Sequence, residues 1–168
     1  MNSPPRDGLP MVNLRPGELY VAREPTLITT LLGSCVSVCL YNPRTKSGAM
    51  CHGVLPFCGS SSLKDSFHFV DSSIAYMVEV LGHQQKTIPG DLEAKLFGGA
   101  NVLALAARIG KKGSTVGDQN IEAARASLRG HGVPIVVERV GGDRGCKLFF
   151  YANTGEVLMR SLRPQPPA

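Results

Sequence analysis

TTLLGSCVSVCLYNP (residues 29–43), followed by SGAMCHGVLP (47–56), decides the reading of this chain. Cys35 to Tyr41 alternates strictly: Val36, Val38 and Leu40 face one way, and Cys35, Ser37, Cys39 and Tyr41 face the other. Asn42-Pro43 starts a turn, and Ala49 to Leu55 is the returning strand of an antiparallel pair. Two registers are open. If Tyr41 pairs with Lys46, Cys35 stands directly opposite His52; if Tyr41 pairs with Gly48, His52 faces Ser37 and lies diagonal to Cys35. Opposite residues sit about 5 Å apart and diagonal ones about 7–8 Å. Both registers put the thiol and the imidazole on one face, and a slip of one residue would separate them.

Outward from this hairpin, Leu19 to Ala22 and Leu27 to Leu31 read as short strands, as do Leu92 to Phe97 and Ile135 to Val140. Cys146 to Ala152 and Glu156 to Leu162 flank Asn153-Thr154-Gly155, a hairpin signal. Ile74, Met77, Val78 and Leu81 fall on one helical stripe, with Asp71 or Ser72 expected to cap its start and Gly82 its end. A second helix is expected over Asp118 to Arg129, with Ile121, Ala124 and Leu128 inward and Gly130 ending it. Many strands with two helices and no regular βαβ alternation predict an α+β fold with the helices on one face. Residues 1–10 and 164–168 read as loose tails around one domain over 11–163.

The chain has 168 residues, enough for one core, with 19 Gly and 12 Pro, which favours turns and short strands over a helical bundle. Only 18% of residues are charged, which argues against coiled coils and charged disordered chains. The net charge is +5, but the longest basic run is Lys111-Lys112 and there is no Trp, so nucleic acid is not the expected partner. The N-terminus has no apolar signal core, and the most apolar stretch, Leu27 to Tyr41, is too short and too polar to span a bilayer. Five cysteines, an odd count without C-x-x-C, predict reduced thiols in a cytoplasmic protein.

Cys35 and His52 form the candidate catalytic pair. A free thiol with pKa near roughly 8.5 is mostly inert at neutral pH, and a neighbouring imidazolium is expected to hold it as thiolate. Thr29 and Thr30 are available hydroxyls to orient the ring, and the turn at Gly33-Ser34 could aim backbone N–H groups at an oxyanion. Metal binding is not expected: Cys51 and His52 are adjacent in a strand and point to opposite faces, and no spacing resembles a zinc module. Gly98-Gly99 and Gly141-Gly142 match no phosphate-binding motif and read as tight turns with positive φ. His68, His83 and His131 sit beside turns and read as surface residues.

The quoted block closely resembles the CheD family of chemoreceptor glutamine deamidases. So do LFGGAN (96–101), VGDQNIEAARASL (116–128) and GGDRGCKLFFYANTGEVLMR (141–160), and the likeness runs over about residues 15–162. Two small departures, Asn101-Val102 after Gly-Gly-Ala and the extra thiol Cys51, leave the catalytic positions untouched. The resemblance implies hydrolysis of glutamine side-chain amides on methyl-accepting chemoreceptors, giving glutamate and ammonia without a cofactor. It implies a layered α/β/β fold like the catalytic domain of cytotoxic necrotizing factor. The family nucleophile falls on Cys35, its histidine on His52, and the threonine that supports the histidine on Thr29. The resemblance also implies a CheC-type phosphatase as a partner competing with the receptor. A regulatory module that mainly activates such a phosphatase is the alternative from another class; a thiol or zinc protein is a remote third.

Overall fold

Apolar alternation buries each strand on chosen faces, and the strands sort into two stacked sheets. The computed structural model describes residues 8–59, 67–84, 86–102 and 113–163. Its strands are β1 (Met11–Leu14), β2 (Leu19–Val21), β3 (Leu27–Leu32), β4 (Val36–Asn42), β5 (Ser47–Cys51), β6 (Glu93–Gly98), β7 (Ile135–Val140), β8 (Cys146–Tyr151) and β9 (Val157–Ser161). One sheet has the order β1-β3-β8-β9 and the other β2-β5-β4-β6-β7. Two helices, α1 (Val70–Gly82) and α2 (Val116–Gly130), pack on the outer face of the five-stranded sheet.

The layers are therefore helices, five strands, four strands. Val36, Val38 and Leu40 of β4 face the helices, meeting Ile74, Met77 and Leu81 of α1 and Ala124 and Leu128 of α2. Cys35, Cys39 and Tyr41 point the other way, into a second core shared with Ile28 and Leu32 of β3 and Leu148 and Phe150 of β8. Each fully buried Leu, Ile or Phe contributes roughly 1.5–3 kcal/mol over an exposed one. The architecture is mixed α and β in a single domain, as the sequence pattern predicts.

Several boundaries differ from expectation. Strand β1 was not predicted: it is four residues long and pairs in parallel with β3, Met11 opposite Leu27. Pro10, placed in the tail by composition, accepts a hydrogen bond from the Leu27 N–H, and Leu9 packs against Leu27, Phe149 and Tyr151. Of the tails expected at 1–10 and 164–168, residues 1–7 and 164–168 lie outside the described residues. Helix α1 begins at Val70 with no side-chain cap, because the Asp71 carboxylate instead accepts from the backbone of Cys58 and Ser72. Gly82 is its last helical residue, and His83, still right-handed, is the C-cap. Helix α2 starts two residues early, capped by Thr115, whose hydroxyl accepts from the Asp118 N–H while Asp118 reaches back to the Thr115 N–H.

Candidate active site

The β4–β5 ladder takes one of the two registers left open by the sequence: Tyr41 pairs with Gly48 and Cys39 with Met50. The pairing continues past β5, where Val36 and Gly53 exchange both backbone hydrogen bonds. Ser37 thus faces His52, and Cys35 is its diagonal neighbour on the same face, about 7–8 Å away between backbones. That face is the one between the sheets. The His52 backbone is held from its other side, its N–H donating to the Glu18 carbonyl and its carbonyl accepting from the Gly17 N–H.

The third member comes from the facing sheet, and it is Thr30. The Thr30 hydroxyl lies 2.7 Å from His52 Nδ1 and donates to the Leu14 carbonyl at 2.8 Å. A carbonyl can only accept, so the hydroxyl proton goes to Leu14 and the oxygen accepts from Nδ1–H. This fixes the neutral tautomer that leaves Nε2 free to take a proton. Thr29, the residue indicated by the family resemblance, does not touch the ring. Strand parity is the reason. Thr30 shares the inward face with Ile28 and Leu32 and is paired with Leu148, whereas Thr29 is paired with Phe149 on the outer face. The Thr29 hydroxyl donates instead to the Asn13 side-chain oxygen on β1, 3.0 Å away.

The turn before the nucleophile is tied down by its carbonyls. Gly33 O accepts from Ala100 N–H at 2.9 Å, Ser34 O from the Asn120 side chain at 3.1 Å, and Cys35 O from Gly99 N–H at 2.8 Å. Among the described residues, the N–H groups of Ser34 and Cys35 reach no backbone carbonyl, and the Cys35 N–H lies against its own thiol. The Gly-Gly-Ala segment is thus more than a tight turn. A Cβ on Gly98 would lie 2.3 Å from Cys35 O, and one on Gly99 2.5 Å from Ile121, at φ of +97° and +68°. Only glycine lets this backbone close on the turn. Sequence reasoning missed Asn120 and the tethering role of Gly99 and Ala100. A signal existed for Asn120: it is a polar residue on the stripe that carries Ala123 and Ala124.

Electrostatics correct one further expectation. Burial holds the His52 ring down at about 4, with Glu18 opposing weakly, and burial pushes the Cys35 thiol up, opposed by its own backbone N–H. Both shifts disfavour a charged group at rest, so burial favours a neutral thiol beside a neutral imidazole over a thiolate–imidazolium pair. Among the described residues no hydrogen bond joins them. Cys35 is partly exposed, while Cys39 and Cys51 are fully buried and the Cys51 thiol is pushed up to about 11. Cys51 belongs to the helix-facing core, so it and His52 point to opposite faces. A shallow cleft of about 270 Å³ opens beside Gly98, lined among others by Arg139, Arg144 and Cys146.

Residues 54–161 match the family described as CheD chemotactic sensory transduction. A relative named probable chemoreceptor glutamine deamidase CheD 2, from Geobacter sulfurreducens, is 44% identical over 92% of this chain and 91% of its own. This chain belongs to the CheD family. A CheD from Rhodospirillum rubrum, named a probable chemoreceptor glutamine deamidase, is 39% identical over 94% of this chain and 85% of its own. The chemoreceptor glutamine deamidase CheD of Thermotoga maritima is 35% identical over 87% of this chain and 88% of its own. Among solved structures, the Bacillus licheniformis hypothetical protein YfiH aligns at TM-score 0.44 and 15% identity, covering 68% of this chain and 49% of that one. That likeness is too slight to characterise the CheD fold.

Proposed function

We propose that this CheD protein is a cysteine-dependent chemoreceptor glutamine deamidase. The carrying observation is the convergence of Cys35, His52 and Thr30 on one face between the sheets. Cys35 attacks the glutamine carboxamide carbon while its thiol proton passes to His52 Nε2, so the ion pair forms only as the S–C bond forms. The N–H groups of Ser34 and Cys35 face the carbonyl oxygen as it becomes an oxyanion. Protonated His52 gives its proton to the departing nitrogen; the C–N bond breaks and ammonia leaves a thioester. His52 then takes a proton from water, hydroxide adds to the thioester, and the C–S bond breaks to give glutamate and the restored thiol. Thr30 holds the ring in the required tautomer throughout. No step calls for a cofactor.

The substrate is a folded helical rod, which suits a partly exposed thiol on a surface rather than in a closed pocket. Val102, exposed and 3.6 Å from where a Gly33 Cβ would stand, gives the site an apolar rim. Action on cytoplasmic receptor helices places the protein in the cytoplasm; among the described residues no helix is long and apolar enough to cross a membrane. The likeness to the catalytic domain of cytotoxic necrotizing factor is part of this proposal, supported by a Cys–His pair on adjacent strands between two sheets. So is a CheC-type phosphatase as competitor for the receptor face. The test is mass spectrometry of a receptor cytoplasmic fragment after incubation. A gain of about 1 Da per site, the mass change of amide hydrolysis, with one ammonia released for each, is expected. An unchanged fragment would overturn the reading.

A further inference from the structure

Of the three tethers on the nucleophile turn, two are backbone groups and one is a side chain. Asn120, fully buried on α2, donates its side-chain nitrogen to Ser34 O at 3.1 Å and to Val54 O at 3.0 Å. The Val36–Gly53 bridge sets Val54 opposite Cys35, so one amide ties together the two segments that carry the site. Its oxygen, Oδ1, is buried without a hydrogen-bond partner among the described residues. Packing alone gives no reason to bury a polar group with a bare acceptor. Two donated protons from one nitrogen are what the position supplies. Asp and Leu supply none, and Ser supplies one.

The Ser34 carbonyl and the Cys35 N–H belong to the same planar trans peptide and point in opposite directions. Drawing the carbonyl towards α2 turns the N–H away from it, to the side of the Cys35 thiol, and that N–H reaches no backbone carbonyl among the described residues. We propose that Asn120 is a positioning residue for amide hydrolysis: it fixes the Ser34–Cys35 peptide against the Val54 segment and so aims the Cys35 N–H at the oxyanion. This rests on the reading of Cys35 as nucleophile.

The test compares Asn120→Ala and Asn120→Ser with the unaltered protein and with Cys35→Ala, on a receptor cytoplasmic fragment. Two rates are read: deamidation, and alkylation of Cys35 by iodoacetamide, a displacement at carbon that builds no oxyanion. In Asn120→Ala, kcat should fall on the order of 10²-fold, the scale of a lost oxyanion donor, with KM and Cys35 alkylation each within about 3-fold. Asn120→Ser, keeping one donor, should lie between. A kcat loss under about 3-fold, or alkylation falling in parallel with kcat, would overturn the proposal, the second because it marks general disorder of the turn. If Asn120→Ala does not fold, Asn120→Ser decides by the same two rates. Deamidation surviving in Cys35→Ala would instead bring down the nucleophile reading, whatever Asn120 does.

Discussion

The two ends of the sheet sandwich are built differently. At the far end of β4 the backbone of the turn closes by local bonds, the Asn42 side chain accepting from the N–H groups of Arg44 and Thr45 and Asn42 O from Lys46 N–H, while its distant ties, Asn42 to Thr87 and Arg44 to Asp91, run through side chains. That end also holds the larger of the two clefts, about 340 Å³, lined by Arg23, Glu24, Thr45, Lys46 and Gln84 among others, with neither a cysteine nor a histidine. At the Cys35 end the turn is closed by partners from far along the chain, namely Gly99, Ala100 and Asn120. At the far end the distant ties grip side chains and leave the backbone of the turn to its own local bonds. A turn clamped by β6 and α2 keeps its N–H groups aimed, which is what pre-organised electrostatic stabilisation needs. Cavity size and chemistry therefore part company in this molecule.

The contrast should show first in activity. His52→Ala should lower deamidation of a receptor fragment by on the order of 10⁴–10⁶, because nucleophile and base act as a unit. Lys46→Ala, at the far cleft, should stay within about twofold by the same assay. Equal losses would erase the distinction between the ends.

Glycines sharpen it next. Gly98 and Gly142 both have positive φ, +97° and +76°, but an added Cβ meets Cys35 O at 2.3 Å in one case and nothing within 4 Å in the other. Gly142→Ala should cost only the backbone strain, about 1–2 kcal/mol by urea denaturation. Gly98→Ala should cost more than that and lower kcat by about 10² or more, since backbone cannot yield as a side-chain tip can. Matching effects on kcat would mean the clamp is not tight.

The threonines come third. Thr30→Val removes the acceptor for His52 Nδ1–H at nearly constant shape, and kcat should fall about 10–10²-fold with KM little changed. Thr29→Val should leave kcat within about 3-fold. The reverse outcome would return the supporting role to Thr29.

The smallest effect is in stability against pH. His52 is held near 4, below its ordinary 6.5, so it stabilises the fold above about 6.5 and loses that contribution as pH falls through 4. The full swing is on the order of 3 kcal/mol. Replacing it in His52→Gln should flatten the decline of the urea midpoint between these pH values relative to the unaltered protein. Identical slopes would contradict a neutral buried ring.

Much of this was legible in the residues. The alternation of 35–41 and the return at 49–55 put Cys35 and His52 on one face in either register, because both registers share the same parity. The hairpin at 153–155 and both helix stripes were equally plain. Thr30 was not separable from Thr29, since LITTLL at 27–32 is apolar on both faces and offers no alternation to read. Strand β1 is too short to signal itself and exists through its partner β3. The depressed histidine and raised thiol depend on burial between two sheets, which spacing does not report. Asn120 and the Gly-Gly-Ala clamp act across large sequence separations; a polar residue on the buried stripe of α2 marks Asn120 as unusual, but local propensity does not say what it holds.

The central claim is that Cys35 does the chemistry from this clamped turn. It is tested most directly by incubating folded Cys35→Ala and unaltered protein, side by side, with the same receptor cytoplasmic fragment and reading the mass of each glutamine-bearing peptide. The account predicts a shift of about 1 Da at particular glutamines with the unaltered protein and none with Cys35→Ala. The same shift appearing with both proteins would contradict it.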